Sequence, residues 1–295
     1  MMIKKDVVVG IGEVLWDLLP QGKQIGGAPA NFAYHVSQFG LNGCVVSAVG
    51  NDTLGLEIIE NFKDKGLNCI IERISYPTGT VQVEIDDAGI PKYEITKYVA
   101  WDNIPYTAEL EALAKNTKAV CFGSLAQRSA VSRNTINRFL DTIPRNEDSL
   151  VVFDINFRQD YYDKDIICKS MERCNILKIN DEELVELGNM FGYEDIDFQD
   201  KCWILLEKYK LKTLILTCGI NGSYVFTPGK VYFQATPCVK VEDTVGAGDS
   251  FTAAFVSCLL KGKSVEDAHL AAVQTSAFVC SVKGAMPVLP LQYVK

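Results

Sequence analysis

Short β-branched runs that alternate with segments of helical period constrain this chain more than any other feature. Residues 6–13 read as a buried strand, with Val7, Val8, Val9 and Ile11 in an apolar run bounded by glycine. Phe32, Val36 and Phe39 then recur at helical spacing up to Gly40, and Pro29 suits the first turn of that helix. A strand at 43–50, a helix at 53–65 ended by Gly66, and a strand at 67–74 continue the pattern. It resumes after residue 107 with helices at 108–115, 131–143, 164–173, 181–187 and 198–209, and strands at 119–123, 149–154, 175–179 and 213–218. Such alternation predicts an α/β fold, a mostly parallel sheet covered by helices on both faces. Ligands of these sheets collect at the carboxyl ends of the strands, so polar residues there carry the functional reading.

One segment breaks the rhythm. Residues 80–85 and 90–96 alternate apolar and polar positions around Asp86-Asp87-Ala88-Gly89, the pattern of an antiparallel hairpin. Inserted among βα units, it is expected to form a small β lid over the site, built from about 14–25 and 77–103; a decorative edge hairpin is the alternative. Composition narrows the function classes. The 295 residues are 48% hydrophobic and 22% charged, with a net charge of −8 and no basic block, which argues against nucleic acid as the main partner. No apolar run approaches the roughly 18 residues of a membrane span. Ten cysteines are scattered without a CxxC pair, several in apolar runs where thiols pack as small hydrophobes. Two histidines are too few for a His-rich metal site. A reduced, cytoplasmic protein is expected.

The stretch from Val241 to Phe251, Val-Glu-Asp-Thr-Val-Gly-Ala-Gly-Asp-Ser-Phe, is the chemical centre of the chain. Phe251, Phe255, Cys258 and Leu259 share one helical face, so a helix is expected from near Gly246 to about Lys261. Gly246, Ala247 and Gly248 then present backbone N–H groups at its start with almost no side chain in the way. Unpaired donors and the positive end of the helix dipole suit phosphate or a developing oxyanion. Asp249 reads two ways: as a carboxylate that favours the helix start, or as a base beside an anion hole.

Asp243, Thr244, Gly246, Ala247, Gly248 and Asp249 match all fixed positions of D-T-x-G-A-G-D, and the stretch resembles the second signature of the PfkB, or ribokinase-like, family of sugar and nucleoside kinases. The resemblance spans the whole chain and implies a single ribokinase-like domain over residues 1–295. It makes Asp249 the catalytic base and gives the anion hole to the amides of Gly246, Ala247 and Gly248. Gly26-Gly27-Ala28-Pro29-Ala30-Asn31 resembles the family's first signature, G-G-x-x-x-N, so Gly27 and Asn31 inherit sugar-binding roles. Asp17, just after the first strand, matches an aspartate that grips sugar hydroxyls; a solvent-facing strand position is its bland reading. Asp154, Asn156 and Arg158 match D-x-N-x-R, which offers Arg158 to phosphate or sugar, with a surface ion pair as the alternative.

Asn180 and Glu183 form a capping-box pattern and also match N-x-x-E, in which the glutamate acts on Mg²⁺ through water and the asparagine lies near the phosphates. Thr217, Gly219 and Gly222 resemble the T-x-G-x-x-G nucleotide loop, and Gly284 the closing G-A turn near adenine. By the same resemblance, Asp243 and the Val245 carbonyl help bind a monovalent cation, K⁺. Two positions depart from the pattern: Val273 stands where many relatives carry an asparagine beside adenine, and Cys218 replaces a bulkier residue.

The implied activity is transfer of the γ-phosphate of ATP, with Mg²⁺, to a primary hydroxyl of a sugar. Gly26 to Asn31 and Phe122-Gly123-Ser124-Leu125 resemble fructokinases, which favours fructose giving fructose 6-phosphate. A 2-keto-3-deoxygluconate kinase or a ribokinase-type enzyme is the alternative within the class, and a catalytically silent sugar or nucleotide sensor the alternative outside it. There is no G-x-x-x-x-G-K-[ST], so this is not a P-loop enzyme, and Leu15 stands where a dinucleotide fingerprint needs its third glycine. Edge strands of the lid are expected to join two copies as a homodimer.

Overall fold

Successive residues of a strand face opposite sides of a sheet, so an unbroken apolar strand must be covered twice. The first strand has this character. The structure, a computed structural model, describes residues 6–19, 22–85 and 91–294. Strand β1 (Val7–Ile11) is followed by β2 (Leu15–Leu19), β3 (Gly22–Gly26), α1 (Ala28–Gln38), β4 (Asn42–Gly50), α2 (Thr53–Asp64) and β5 (Asn68–Ile74). Then come β6 (Gly79–Ile85), β7 (Pro91–Ile95), α3 (Ala108–Ala114), β8 (Thr117–Phe122), α4 (Ala130–Thr142), β9 (Leu150–Asp154), α5 (Lys164–Arg173) and β10 (Ile176–Asn180). The chain ends with α6 (Asp181–Phe191), α7 (Phe198–Lys208), β11 (Thr213–Thr217), β12 (Ser223–Thr227), β13 (Lys230–Gln234), α8 (Ala247–Leu260), α9 (Val265–Cys280) and α10 (Leu291–Val294).

Among the described residues, nine strands form the main sheet in the order β13-β12-β11-β10-β9-β8-β1-β4-β5. From β11 to β5 all neighbours are parallel. Val7, Val9 and Ile11 face one apolar cluster, shared with residues of α3 to α7 such as Leu110, Phe139, Met171, Leu187 and Leu205. Val8 faces a second, with Phe32 and Val36 of α1, Phe251 and Phe255 of α8, and Ala272 of α9. The alternation inferred from sequence therefore builds two layers around one sheet. From β1 the chain moves outward to β4 and β5, then returns to β8 on the other side. The connections diverge between β1 and β8, and a crevice opens at the carboxyl ends of such a strand pair.

Two features differ from the sequence expectation. An edge hairpin of β12 and β13 is added, with β12 antiparallel to both β11 and β13; its signal is Pro228-Gly229, where Gly229 has φ +77°. Helix α8 is buried from Ser250 through Cys258 rather than along one apolar stripe. It packs against both α1 and α9 over the sheet, so small residues such as Ala253 and Ala254 are as buried as Phe255.

A second sheet of four strands has the order β3-β2-β6-β7. It pairs the segment after β1 with the inserted hairpin, Leu15 beside Gly79 and Asp17 beside Val81. The expected turn Asp86-Asp87-Ala88-Gly89 lies outside the described residues. Among those described, no helix is long and apolar enough to cross a membrane, and all ten cysteines are free.

Candidate active site

The strand ends beside β1 and β8 hold most of the residues singled out from sequence. Two glycine positions set the close approach of the backbone there. Gly246 caps α8 with φ +77°, and a Cβ on it would fall 2.7 Å from the Ala285 side chain. Gly27 caps α1 with φ +120°, and a Cβ there would collide with the carbonyl oxygen of Glu13. The starts of α1 and α8 thus converge on one cleft.

Their side chains meet in it. Asn31, 2% exposed, donates from Nδ2 to Asp249 Oδ2 at 2.7 Å, across 218 residues of sequence. Asn31 Oδ1 is buried with no partner among the described residues. The cleft is also lined by Gly123, Asp154 and Asn156. Burial first, and the nearby charge of Asp154 second, push the Asp249 carboxyl up to about 6, while Asn31, Lys178 and Arg158 hold it down. At neutral pH it is ionised and basic enough to take a proton. Ser250 N–H returns to Gly246 O at 2.8 Å, and Ala247 N–H reaches Thr244 O at 3.3 Å. The N–H groups of Gly248 and Asp249 find no backbone acceptor among the described residues, as the first turn of a helix requires.

Beneath the start of α8 lies a residue that the sequence reading missed. Lys178 of β10 is 7% exposed and donates to Asp154 Oδ1 at 3.0 Å. A Cβ on Gly248 would fall 3.0 Å from its Nζ. Burial works against the ammonium charge, but Asp154 and Glu183 outweigh it, and the group is held above the ordinary lysine range. A lysine inside the apolar run Ile176-Leu177-Lys178-Ile179 was the available signal. Glu13, 3% exposed, was missed for a similar reason, since it reads as an ordinary strand end.

The remaining motifs are stitched together by hydrogen bonds. Ser124 donates to Ile155 O at 2.7 Å, which ties Phe122–Leu125 to the segment that carries Asp154, Asn156 and Arg158. Phe157 N–H donates to Glu183 Oε1 at 3.0 Å, and Asn180 N–H to Glu183 Oε2 at 2.8 Å. Asn180 Oδ1 in turn accepts from Glu183 N–H at 2.8 Å, a complete capping box. Each Glu183 oxygen thus already accepts one backbone proton, a donor set that suits a metal-bound water better than a bare ion. No cluster of three or more acidic, His or Cys side chains able to cage a metal occurs among the described residues. Magnesium fits such a site when phosphate oxygens and waters supply most ligands.

Asp243 Oδ1 accepts from Val245 N–H and Oδ2 from Gly284 N–H, both at 3.0 Å. The carboxylate therefore organises the loop before α8 and ties it to the Gly284 turn. His35 Nε2 lies 2.8 Å from Ala285 O, which fastens α1 to the same turn. Thr217 stands beside Asn180 in the sheet, and Gly219 and Gly222 shape the turn from β11 to β12, where Gly219 O accepts from Thr236. Val273 belongs to the apolar cluster around α8 and α9 and is 6% exposed.

Two sequence candidates stand apart from this bonded network. Asp17 lies on β2 of the small sheet beside Gly26. Burial raises its carboxyl to about 6, with Arg158 pulling the other way. Arg158 is exposed and donates to its neighbour's carbonyl, Phe157 O. Its charge acts on Glu13, Asp17 and Asp249 alike.

Comparison with known proteins gives the family. Residues 20–292 match the pfkB family carbohydrate kinase pattern. An ATP-dependent 6-phosphofructokinase from Thermoanaerobacterium thermosaccharolyticum is 28% identical over 97% of this chain and 92% of its own length. A fructokinase from Salmonella typhimurium is 29% identical over 96% of this chain and 95% of its own. The crystal structure of a fructokinase with bound ATP from Xylella fastidiosa superposes with a TM-score of 0.87 at 21% identity, covering 99% of this chain and 97% of that one. Since the family pattern covers residues 20–292, nearly the whole chain, the chain belongs to the pfkB family of carbohydrate kinases, phosphotransferases with an alcohol group as acceptor.

Proposed function

We propose that this kinase transfers the γ-phosphoryl group of ATP to a primary hydroxyl of a neutral sugar, fructose giving fructose 6-phosphate. The observation that carries the reading is the 2.7 Å bond from Asn31 to Asp249, because it joins the sugar-side signature to the base at one point. The unpaired Oδ1 of Asn31 and the half-buried carboxylate of Asp17 offer acceptors to sugar hydroxyls, and Gly27 lets the ring approach the backbone. Asp249 takes the hydroxyl proton while that oxygen bonds to the γ-phosphorus. The bond from the γ-phosphorus to the bridging oxygen breaks, and ADP leaves with the electron pair.

The free amides at the start of α8 receive the growing negative charge, with Lys178 behind Gly248 adding a fixed positive field. Glu183 would act on Mg²⁺ through water, and the ion would supply charge neutralisation at the phosphates; Asn180 and the turn from Thr217 through Gly222 would hold the nucleotide with Gly284. The four-stranded sheet acts as a lid that excludes water, and its edge strands β3 and β7 join two copies as a dimer.

Charge favours a neutral acceptor over a phosphorylated one. Glu13, Asp17, Asp154 and Asp249 line or underlie the acceptor end, whereas Lys178 is already paired with Asp154. Arg158 remains as the opposing cation. The test is coupled ATP consumption across fructose, ribose, 2-keto-3-deoxygluconate and fructose 6-phosphate. Fructose is expected to show the highest kcat/KM. A higher value for any other acceptor overturns the choice of sugar, and failure with all of them overturns the kinase mechanism.

A further inference from the structure

Helix α1 makes more polar contacts around the start of α8 than sugar recognition needs. Asn31, His35 and Gln38 stand four and then three residues apart, on one face of the helix. Asn31 holds Asp249. His35 is fully buried, and its Nε2 lies 2.8 Å from Ala285 O. Gln38 donates to Pro287 O at 3.2 Å and accepts from Leu289 N–H at 3.2 Å. The segment after α9 is thus laid along α1 by side chains, from Ala285 to Leu289.

An imidazole is a costly choice at such a place, because it needs partners where a leucine would simply fill the space. Its Nδ1 has no partner among the described residues. Burial lowers the ring to about 4, so it is neutral at neutral pH. The group facing Nε2 is a carbonyl, which only accepts, so Nε2 carries the proton and His35 is a fixed donor to Ala285. Ala285 is the wall on which Gly246 packs. A Cβ on Gly246 would fall 2.7 Å from the Ala285 side chain and 2.9 Å from its carbonyl oxygen. The neighbouring Gly284 N–H donates to Asp243 Oδ2 at 3.0 Å. The turn is therefore gripped by α1 on one side and by the loop before α8 on the other. Helix α1 fixes the first turn of α8 at both ends, directly at Asp249 through Asn31 and indirectly at Gly246 through His35 and Ala285.

We propose that His35 is a positioning residue for phosphoryl transfer: by holding the Ala285 carbonyl it sets Gly246, and with it the amides at the start of α8, in register with the base that Asn31 holds from the same helix. The inference rests on the reading of that helix start as the receiver of the transferred group. Without the bond the Gly284-Ala285 turn is free to move off α1, and the amides shift relative to Asp249. A displacement on the order of 1 Å is enough to slow a positioned reaction about a hundredfold. The γ-phosphate loses aligned donors before the reaction as well, so nucleotide affinity falls with turnover. Sugar binding is spared, since Gly27 and Asn31 keep their places at the start of α1.

The experiment compares the parent with His35→Leu, which fills the space without a donor, and with His35→Gln, whose amide nitrogen stands at the reach of Nε2 and can donate to Ala285 O. Fructose phosphorylation and calorimetric titration with Mg-ATP are measured on proteins whose melting shows them folded. In His35→Leu, kcat is expected to fall by at least about tenfold and the Kd for Mg-ATP to rise by at least about threefold, with KM for fructose within about twofold of the parent. His35→Gln is expected to recover most of both losses, which a residue that only fills space would not do. Parental affinity for Mg-ATP in His35→Leu overturns the proposal, as does an equal loss in His35→Gln or a loss that falls on KM for fructose. Should His35→Leu fail to fold, His35→Asn, too short to reach Ala285, replaces it under the same criteria. The titration needs no sugar, so inactivity of the parent on every sugar would defeat the acceptor reading and still leave His35 to be decided by nucleotide affinity.

Discussion

Replacing Asp249 by Asn separates a catalytic base from a residue that only favours a helix start. The side chain keeps its shape, and its amide oxygen still accepts from Asn31 Nδ2. In the folded protein the carboxyl holds its proton up to about pH 6, whereas its ordinary value is 3.8. The stability contributed by that raised value is complete below about pH 4 and is lost as the pH rises through about 6. At pH 8 the folded chain carries a buried charge it would be more stable without, by about 3 kcal/mol at full weight. Loss of the favourable dipole interaction costs about 0.5–1 kcal/mol, and the weaker bond from Asn31 about 1 kcal/mol. Asp249→Asn is therefore expected to be more stable than the parent by about 1–1.5 kcal/mol at pH 8, a few degrees in Tm, with little gain at pH 4.5. Turnover should meanwhile fall by about two to four orders of magnitude, with ATP binding retained. Melting, nucleotide titration and coupled turnover on one preparation give all three quantities. Turnover within a fewfold of the parent would refute Asp249 as base, and a lower Tm at pH 8 would refute the account of its buried charge.

Three further outcomes follow from the same geometry. Asp17→Ala should raise KM for the sugar about ten- to hundredfold while leaving ATP binding unchanged, measured by steady-state kinetics and nucleotide titration. Lys178→Met strands Asp154 as a buried charge and should cost about 3–5 kcal/mol by denaturant unfolding; the double variant with Asp154→Asn should recover most of that loss while remaining slow, because the positive field behind Gly248 is gone. Gly246→Ala meets both a φ of +77° and the Ala285 side chain, so turnover should drop at least tenfold, with a rise in KM for ATP rather than for the sugar.

Local order along the chain already determined the architecture. Apolar runs such as Val7-Val8-Val9 demand cover on both faces, and their alternation with helical segments leaves a parallel sheet as the economical solution. The helix starts at Asn180 and at Gly246 were legible because a helix start advertises itself through caps and small residues within a few positions, whereas Asn31 was singled out by the family resemblance. The capping box of Asn180 and Glu183 is local for the same reason, spanning only three residues.

Tertiary structure alone decided which of these groups act together. Asn31 and Asp249 are 218 residues apart in sequence and bonded in space, and no periodicity within either segment encodes that pairing. Lys178 and Glu13 did not stand out in the sequence because one charge within or beside an apolar strand looks like a surface position until the sheet is covered. Once β10 and β1 are buried, the same charges are forced to find partners or hold protons, and their meaning depends on what the fold brings near them: Asp154 for Lys178 beside the start of α8, Asp249 and Arg158 for Glu13. The roles of Asp243 and His35 as ties between the loop before α8, α1 and the Gly284 turn belong to the same category. Secondary structure follows from interactions a few residues apart, which sequence displays directly; burial and long-range electrostatics depend on neighbours that only folding supplies.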